Sequence, residues 1–159
     1  MMSAASQTTA PFQLWLSADW SSCSDQAHLG GSWNRLGVTG SGAYFYRSDF
    51  TAESSVPASL YYDRDCGNQG NPAAWILDWG PLTGLTNDRD LDNDGTCYFY
   101  GYLLSDNNNL PLGTRTWQLY CGGTLTSIDV TFTSPPPPPP WPPLPPPSPP
   151  KDPPPPLSP

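Results

Sequence analysis

The stretch NDRDLDNDG, residues 87–95, places Asp88, Asp90, Asp92 and Asp94 at every second position and ends on a glycine. Calcium takes about six to eight oxygen ligands, and short alternating carboxylates can wrap such an ion while glycine permits the sharp turn. Residues 90–95 match D-x-D-x-D-G, the first half of an EF-hand-type loop. The second half departs from it. The twelfth position counted from Asp90 is Gly101 and not a bidentate Glu, and the preceding GPLTGLTN is a turn sequence and not a helix. Carboxylates about 7 Å apart repel by only about 0.6 kcal/mol in water, and Arg89 lies among these four. A solvated loop therefore tolerates them without an ion. Two readings stay open: a calcium site formed by Asp88, Asp90, Asp92 and Asp94, and an acidic turn that feeds a strand.

Aromatic residues supply the second candidate chemistry. Rings offer apolar faces that a sugar can cover while nearby polar groups bond its hydroxyls. The indoles available outside the C-terminal tail are Trp15, Trp20, Trp33, Trp75, Trp79 and Trp117. Trp75, Leu77 and Trp79 alternate on one face of a strand, as core residues do, and Trp75 and Trp117 are expected inside. Trp20, in ADWSSCSD, is expected to be exposed. With Tyr98, Tyr100, Tyr102 and Tyr120 it makes the candidate carbohydrate surface. Catalytic groups are sparse. His28 is the only histidine, and no nucleophile elbow, HExxH pair or phosphate-binding glycine loop occurs. The expectation is that the chain is not an enzyme.

These residues must be positioned by strands. Apolar residues come in short alternating runs broken by Gly, Asn, Asp and Pro, and none sustains a helical period. Strands are predicted near 12–17, 33–38, 43–47, 58–63, 74–79, 97–104, 115–121 and 125–133. The expected fold is all-β, an antiparallel sandwich or barrel of about eight short strands, followed by a polyproline II tail. If the loop 105–113 closes symmetrically about Asn109, Cys97 faces Cys121, Phe99 faces Leu119 and Leu103 faces Arg115. Directly opposed residues lie about 4.5–5.5 Å apart, within disulfide reach. This register predicts Cys97–Cys121 and leaves Cys23–Cys66. It also places Cys97, Phe99, Leu103, Trp117, Leu119 and Cys121 on the core face, with Tyr98, Tyr100, Tyr102, Gln118 and Tyr120 on the other, which is either a second buried layer with each phenol partnered or a wet binding platform.

Composition divides the 159 residues sharply, because residues 134–159 hold 18 of the 23 prolines. The expected organisation is a disordered N-terminus over 1–10, a disulfide-containing β-module over 11–133 and a polyproline II spacer over 134–159. Net charge is −8 with six basic residues, which offers no basic face for nucleic acid or an anionic membrane. No apolar run approaches the roughly 20 residues of a spanning helix. Four cysteines at wide spacing, none in a CxxC pair, suggest two disulfides and an oxidising compartment. The first twenty residues lack the charged and apolar regions of a signal peptide. A fragment of a longer secreted protein is the expected explanation.

The tail admits two uses. Consecutive prolines fix φ and remove amide hydrogens, which enforces polyproline II, and 26 residues at about 3.1 Å each make a spacer of roughly 80 Å. As a rod, it would carry the module in a wall or matrix. As a ligand, Pro142, Pro143, Leu144 and Pro145 form a PPLP sequence of the kind WW domains take. Trp141 to Pro145 fits an EVH1-type pattern, and Pro146 to Lys151 fits P-x-x-P-x-K for SH3 domains.

Proline runs broken by single serines (PPPSPP, PPPPLSP) resemble the hydroxyproline-rich glycoproteins of green-algal cell walls and extracellular matrix, of the pherophorin and extensin type. The globular part is similar to small aromatic β-modules of secreted algal proteins. Their loose pattern here would be Gly42 to Tyr44, Leu60 to Tyr62, Trp75 to Asp78 and Trp117 to Gly123. The resemblance implies an extracellular location and a wall or matrix setting, with polysaccharide or other matrix glycoproteins as partners. The expected function is a structural or carbohydrate-adhesive module displayed on a polyproline rod. Two alternatives are an intracellular scaffold whose tail recruits WW, EVH1 or SH3 domains, and a calcium-dependent adhesion module.

Overall fold

A computed structural model describes residues 11–40, 42–48, 58–79, 95–97 and 99–135. The strands are β1 (Gln13–Ala18), β2 (Gly31–Val38), β3 (Tyr44–Ser48), β4 (Ala58–Asp63), β5 (Ala74–Trp79), β6 (Gly101–Leu104), β7 (Gly113–Cys121) and β8 (Thr124–Thr133). Each pairs antiparallel with its neighbours in sequence, and β1 also pairs with β8, so the sheet closes into an eight-stranded barrel. Closure removes the free edges that an open sheet would present. All eight predicted strands are present, and the fold is the barrel form of the predicted architecture.

The barrel interior is filled by side chains. Trp33, Trp75 and Trp117 are fully buried there with Tyr46, Phe132, Leu14, Leu16, Leu60, Leu77, Leu119 and Val130. Eight strands enclose just enough width for such a filling. Three of the interior rings bond backbone carbonyls of the connecting segments. The Trp33 indole donates to the Leu29 carbonyl at 3.1 Å and that of Trp75 to the Asn109 carbonyl at 2.9 Å. The Tyr46 hydroxyl donates to the Pro11 carbonyl at 3.0 Å. Each ring thus contributes burial and fixes a connection at the same time.

Two devices bend the wall. A bulge between Arg35 and Gly37 leaves Leu36 unpaired, and a Cβ at Gly37 would lie 2.7 Å from the Phe45 ring. At Gly101 a Cβ would lie 2.2 Å from the Leu119 side chain and 2.8 Å from the Gln118 carbonyl. Only glycine lets β6 approach β7 this closely.

The predicted disulfide pairing is wrong. The bonds are Cys23–Cys121 and Cys66–Cys97, not Cys97–Cys121 and Cys23–Cys66. In the barrel Gly101 faces Leu119 and Tyr102 faces Gln118, two residues away from the register that puts Phe99 opposite Leu119. The physical cause is that the connection after β6 is not symmetric. β6 stops at Leu104, whereas β7 starts at Gly113 and its first turns pair with β8 from Phe132 onward. A two-residue slip preserves facing, so Trp117, Leu119 and Cys121 do point inward and Leu103 packs against the interior. Residues 97, 99 and 100 lie ahead of the strand. Cys97 and Phe99 pack outside the wall, against Ile76, Ala74 and Tyr61, and Tyr100 packs against the interior cluster.

Candidate functional site

The wall has two unlike outer faces. Over β1, β8 and the second half of β7 the strands alternate, with Leu14, Leu16, Trp117, Leu119, Ile128, Val130 and Phe132 buried and the intervening residues outside, and β2 beside them buries Trp33. The outward residues bond across the strands. Thr114 and Thr131 share a hydroxyl pair at 2.8 Å, the Thr116 hydroxyl donates to Asp129 Oδ1 at 2.7 Å, and Gln118 Nε2 donates to Ser127 Oγ at 2.9 Å. On the far side Gln13 Nε2 donates to Asn34 Oδ1 at 3.4 Å. Amid this field stands Trp15, opposed to Ser32 on β2 and Thr133 on β8, with 55% of its surface exposed. Neighbouring strands are about 4.8 Å apart and successive outward residues about 6.7 Å. The face is therefore a convex lattice, largely of hydroxyl and amide groups, with Trp15 at the Thr133 end and the exposed Tyr120 and Leu125 at the other. Asp129 is its one carboxylate.

Over β4 and β5 the outer face is covered instead. Ser59, Tyr61, Asp63, Ala74, Ile76 and Asp78 are all buried although they point away from the barrel interior. Residues 95–97 and Phe99 lie across this face, fixed by Cys66–Cys97 and by Gln69 Nε2 donating to the Gly95 carbonyl at 3.0 Å. Asp63 and Asp65 carboxylates accept from the backbone amides of Asp65 and Asn71 at 2.9 and 2.7 Å, and Asn71 Nδ2 donates to the Cys66 carbonyl at 2.8 Å. Gly67 has φ +71°, and a Cβ there would lie 2.5 Å from the Thr96 carbonyl, so no side chain fits under this strap. Beneath it the Tyr61 hydroxyl donates to Asp78 Oδ2 at 2.8 Å.

A third cluster sits at the end of the barrel where β7 turns into β8. His28 Nδ1 bonds the Asp25 carbonyl at 3.0 Å, so the neutral ring carries its proton on Nδ1. Its ring meets Tyr100 edge-on at 5.0 Å, and Tyr100 meets Trp79 edge-on at 5.2 Å. Burial, reinforced by the Asp78 charge, holds the Tyr100 phenol above its ordinary 10.0. Cys23, Asp25 and Cys121 are the one group of metal-type donors brought close together among the described residues. Both sulfurs are in the Cys23–Cys121 disulfide, and Asp25 Oδ2 accepts from the Gly122 amide at 2.9 Å, so this group is a structural staple.

The predicted carbohydrate residues do not form one platform. Trp20 is half-buried against the core and not exposed as expected. Its indole fills the space beside Gly30, where a Cβ would be 3.3 Å away. Tyr100 is held between His28 and Trp79, and Tyr102 lies edge-on to Phe99 at 5.1 Å in the outer cluster. Of the predicted set within the described residues, Tyr120 is the exposed ring. Trp15 is the indole that the sequence reading left out. The signal for it was the alternation in QLWLS, which turns Leu14 and Leu16 inward and the indole between them outward. Asp88, Asp90, Asp92, Asp94, Tyr98 and the tail residues Trp141, Pro142, Pro143, Leu144 and Pro145 lie outside the described residues.

Comparison with protein-family models, with curated proteins and with solved structures finds no match. The functional reading therefore rests on the geometry of these surfaces.

Proposed function

We propose that this chain is a carbohydrate-adhesive β-module of an extracellular wall or matrix, with the face around Trp15 as its binding surface. The observation that carries this reading is a large indole standing in water at one end of a four-strand face rich in Thr, Ser, Asn and Gln, opposite Thr133 where β8 ends. An indole left exposed while three others fill the core is available to stack on the apolar face of a sugar ring. Asp129 Oδ2 and Gln118 Oε1, which have no intramolecular partner among the described residues, supply acceptors for sugar hydroxyls. A convex barrel wall suits an extended polysaccharide chain better than an isolated sugar, which favours a concave pocket.

Two disulfides, with no free thiol among the four cysteines, support an oxidising compartment and weigh against the intracellular scaffold. The proline-rich segment, with its serine-broken runs like those of algal wall glycoproteins, supports a wall or matrix setting. Co-sedimentation of the full chain with insoluble plant and algal polysaccharides tests the reading. Wild-type protein is expected in the pellet with at least one of them, and Trp15→Ala is expected in the supernatant with its near-ultraviolet circular dichroism otherwise retained. Equal retention of both proteins on every polysaccharide, or of neither, contradicts it.

A further inference from the structure

Beside the strap, on the covered half of the barrel, lies an apolar cleft of about 260 Å³. Ile76, Phe99, Tyr102, Leu104 and Leu125 line it, with Asn71 at its polar edge. Leu104 and Leu125 are 58% and 47% exposed, although the interior of the same barrel is fully packed. Asn71 Nδ2 is already committed to the Cys66 carbonyl, whereas the Tyr102 hydroxyl makes no hydrogen bond to a described residue. An occupant should thus be apolar and carry an acceptor for the Tyr102 hydroxyl. A run of prolines has this chemistry, because it shows pyrrolidine faces and bare carbonyls and has no N–H.

The chain carries such a run itself. We propose that the cleft is the docking site for this chain's own segment 141–145, WPPLP, bound in cis. Trp141 and Leu144 are three residues apart, one turn of a polyproline II helix, so they fall on one edge about 9 Å apart. The pair matches a cleft whose rim is itself leucine and aromatic. Reach is sufficient. β8 ends at Thr133, Phe132 pairs with Gly113 at the start of β7, and the cleft begins on β6, the next strand. Tyr102 is level with Gln118 and Ser127, six residues back from Thr133, so the path is about 20 Å along the strands and about 10 Å across, roughly 22 Å in all. The eight residues from Thr133 to Trp141 span up to about 25 Å. Charge does not oppose the contact: residues 136–159 hold only Lys151 and Asp152 and are neutral, so the −8 of the whole chain lies elsewhere. The tether makes the contact intramolecular, so a weak site suffices. Docking would fix the direction in which the remaining tail leaves the barrel. It does not depend on what Trp15 binds.

Methyl NMR of the full chain tests this. In wild type the Ile76, Leu104 and Leu125 methyls are expected to be displaced upfield by the Trp141 ring, relative to the double variant Trp141→Ala/Leu144→Ala, with no change on tenfold dilution or on raising salt. Leu104→Arg, at an exposed position that leaves the core intact, is expected to return the Ile76 and Leu125 methyls to the positions they hold in the double variant. Superimposable spectra of wild type and the double variant overturn the proposal. Displacements that disappear on dilution also overturn it, since they place the tail in another copy's cleft.

Discussion

The two halves of the barrel wall solve opposite problems. From β7 through β8 and β1 to β2, each strand buries one face and shows the other to water. Polar pairs such as Thr116–Asp129 hold that outer face. Over β4 and β5 both faces are buried, and the outer one needs a lid of irregular chain with its own disulfide and its own network of aspartate-to-amide bonds. The open half is built by pairing alone and leaves a surface free for a ligand. The covered half commits its outer surface to stability. An exposed indole therefore means something different from a buried one on the same sheet.

Removing the strap's disulfide should separate the halves most strongly. Cys66 and Cys97 are 31 residues apart, and loop closure of that length contributes about 3–4 kcal/mol. Cys66→Ser/Cys97→Ser is expected to lose about that much in urea denaturation. Amide exchange should rise in 58–79 and stay unchanged in 113–133. Tyr61→Phe comes next. It deprives the buried Asp78 carboxylate of a hydroxyl donor, which costs about 1–3 kcal/mol, measurable by the same denaturation. Thr116→Ala, on the open half, removes only a cross-strand pair in water and is expected to cost less than about 1 kcal/mol. A Thr116→Ala loss as large as that of Tyr61→Phe would erase the contrast between the halves.

Alkali provides a further, smaller probe. Burial raises the Tyr62 phenol above its ordinary 10.0, with Arg64 opposing and Asp106 and Asp63 adding to the rise, and Tyr100 is raised as well. The unfolded chain releases these protons near pH 10 while the folded barrel keeps them. Stabilisation from this source is therefore intact below pH 10 and is lost as pH climbs through the folded values. Phenolate absorbance should show two tyrosines titrating late, and the denaturation midpoint should fall over the same range.

The open half was legible in the sequence because period-two alternation in FQLWLS, RTWQLYC and LTSIDVTFT states directly which residues face in. β4 and β5 were legible as strands, but ASLYYD and AWILDW are buried on both faces, and nothing in an unbroken apolar run says what covers the second one. The cysteine pairing failed for a related reason. Cys97 sits in aromatic sequence that reads as a continuation of β6, yet it belongs to the strap, and only the close approach at Gly101 and the early end of β6 reveal the break. The tyrosine surface failed with it, because a face assigned by alternation across 97–104 is divided where alternation stops. Trp15 was within reach: its two leucine neighbours identify it as the outward member of β1.

Hydroxyl-radical footprinting of the full chain, with and without the polysaccharide that retains it, tests the central claim most directly. It reads the two exposed indoles of the described residues in one experiment. Trp15 should be oxidised readily in the free protein and protected in the bound one, while Trp79, 48% exposed at the end of β5, should be oxidised equally in both. Protection of Trp79 or of the Leu104–Leu125 rim, with Trp15 unchanged, would contradict the assignment of the open face as the binding surface.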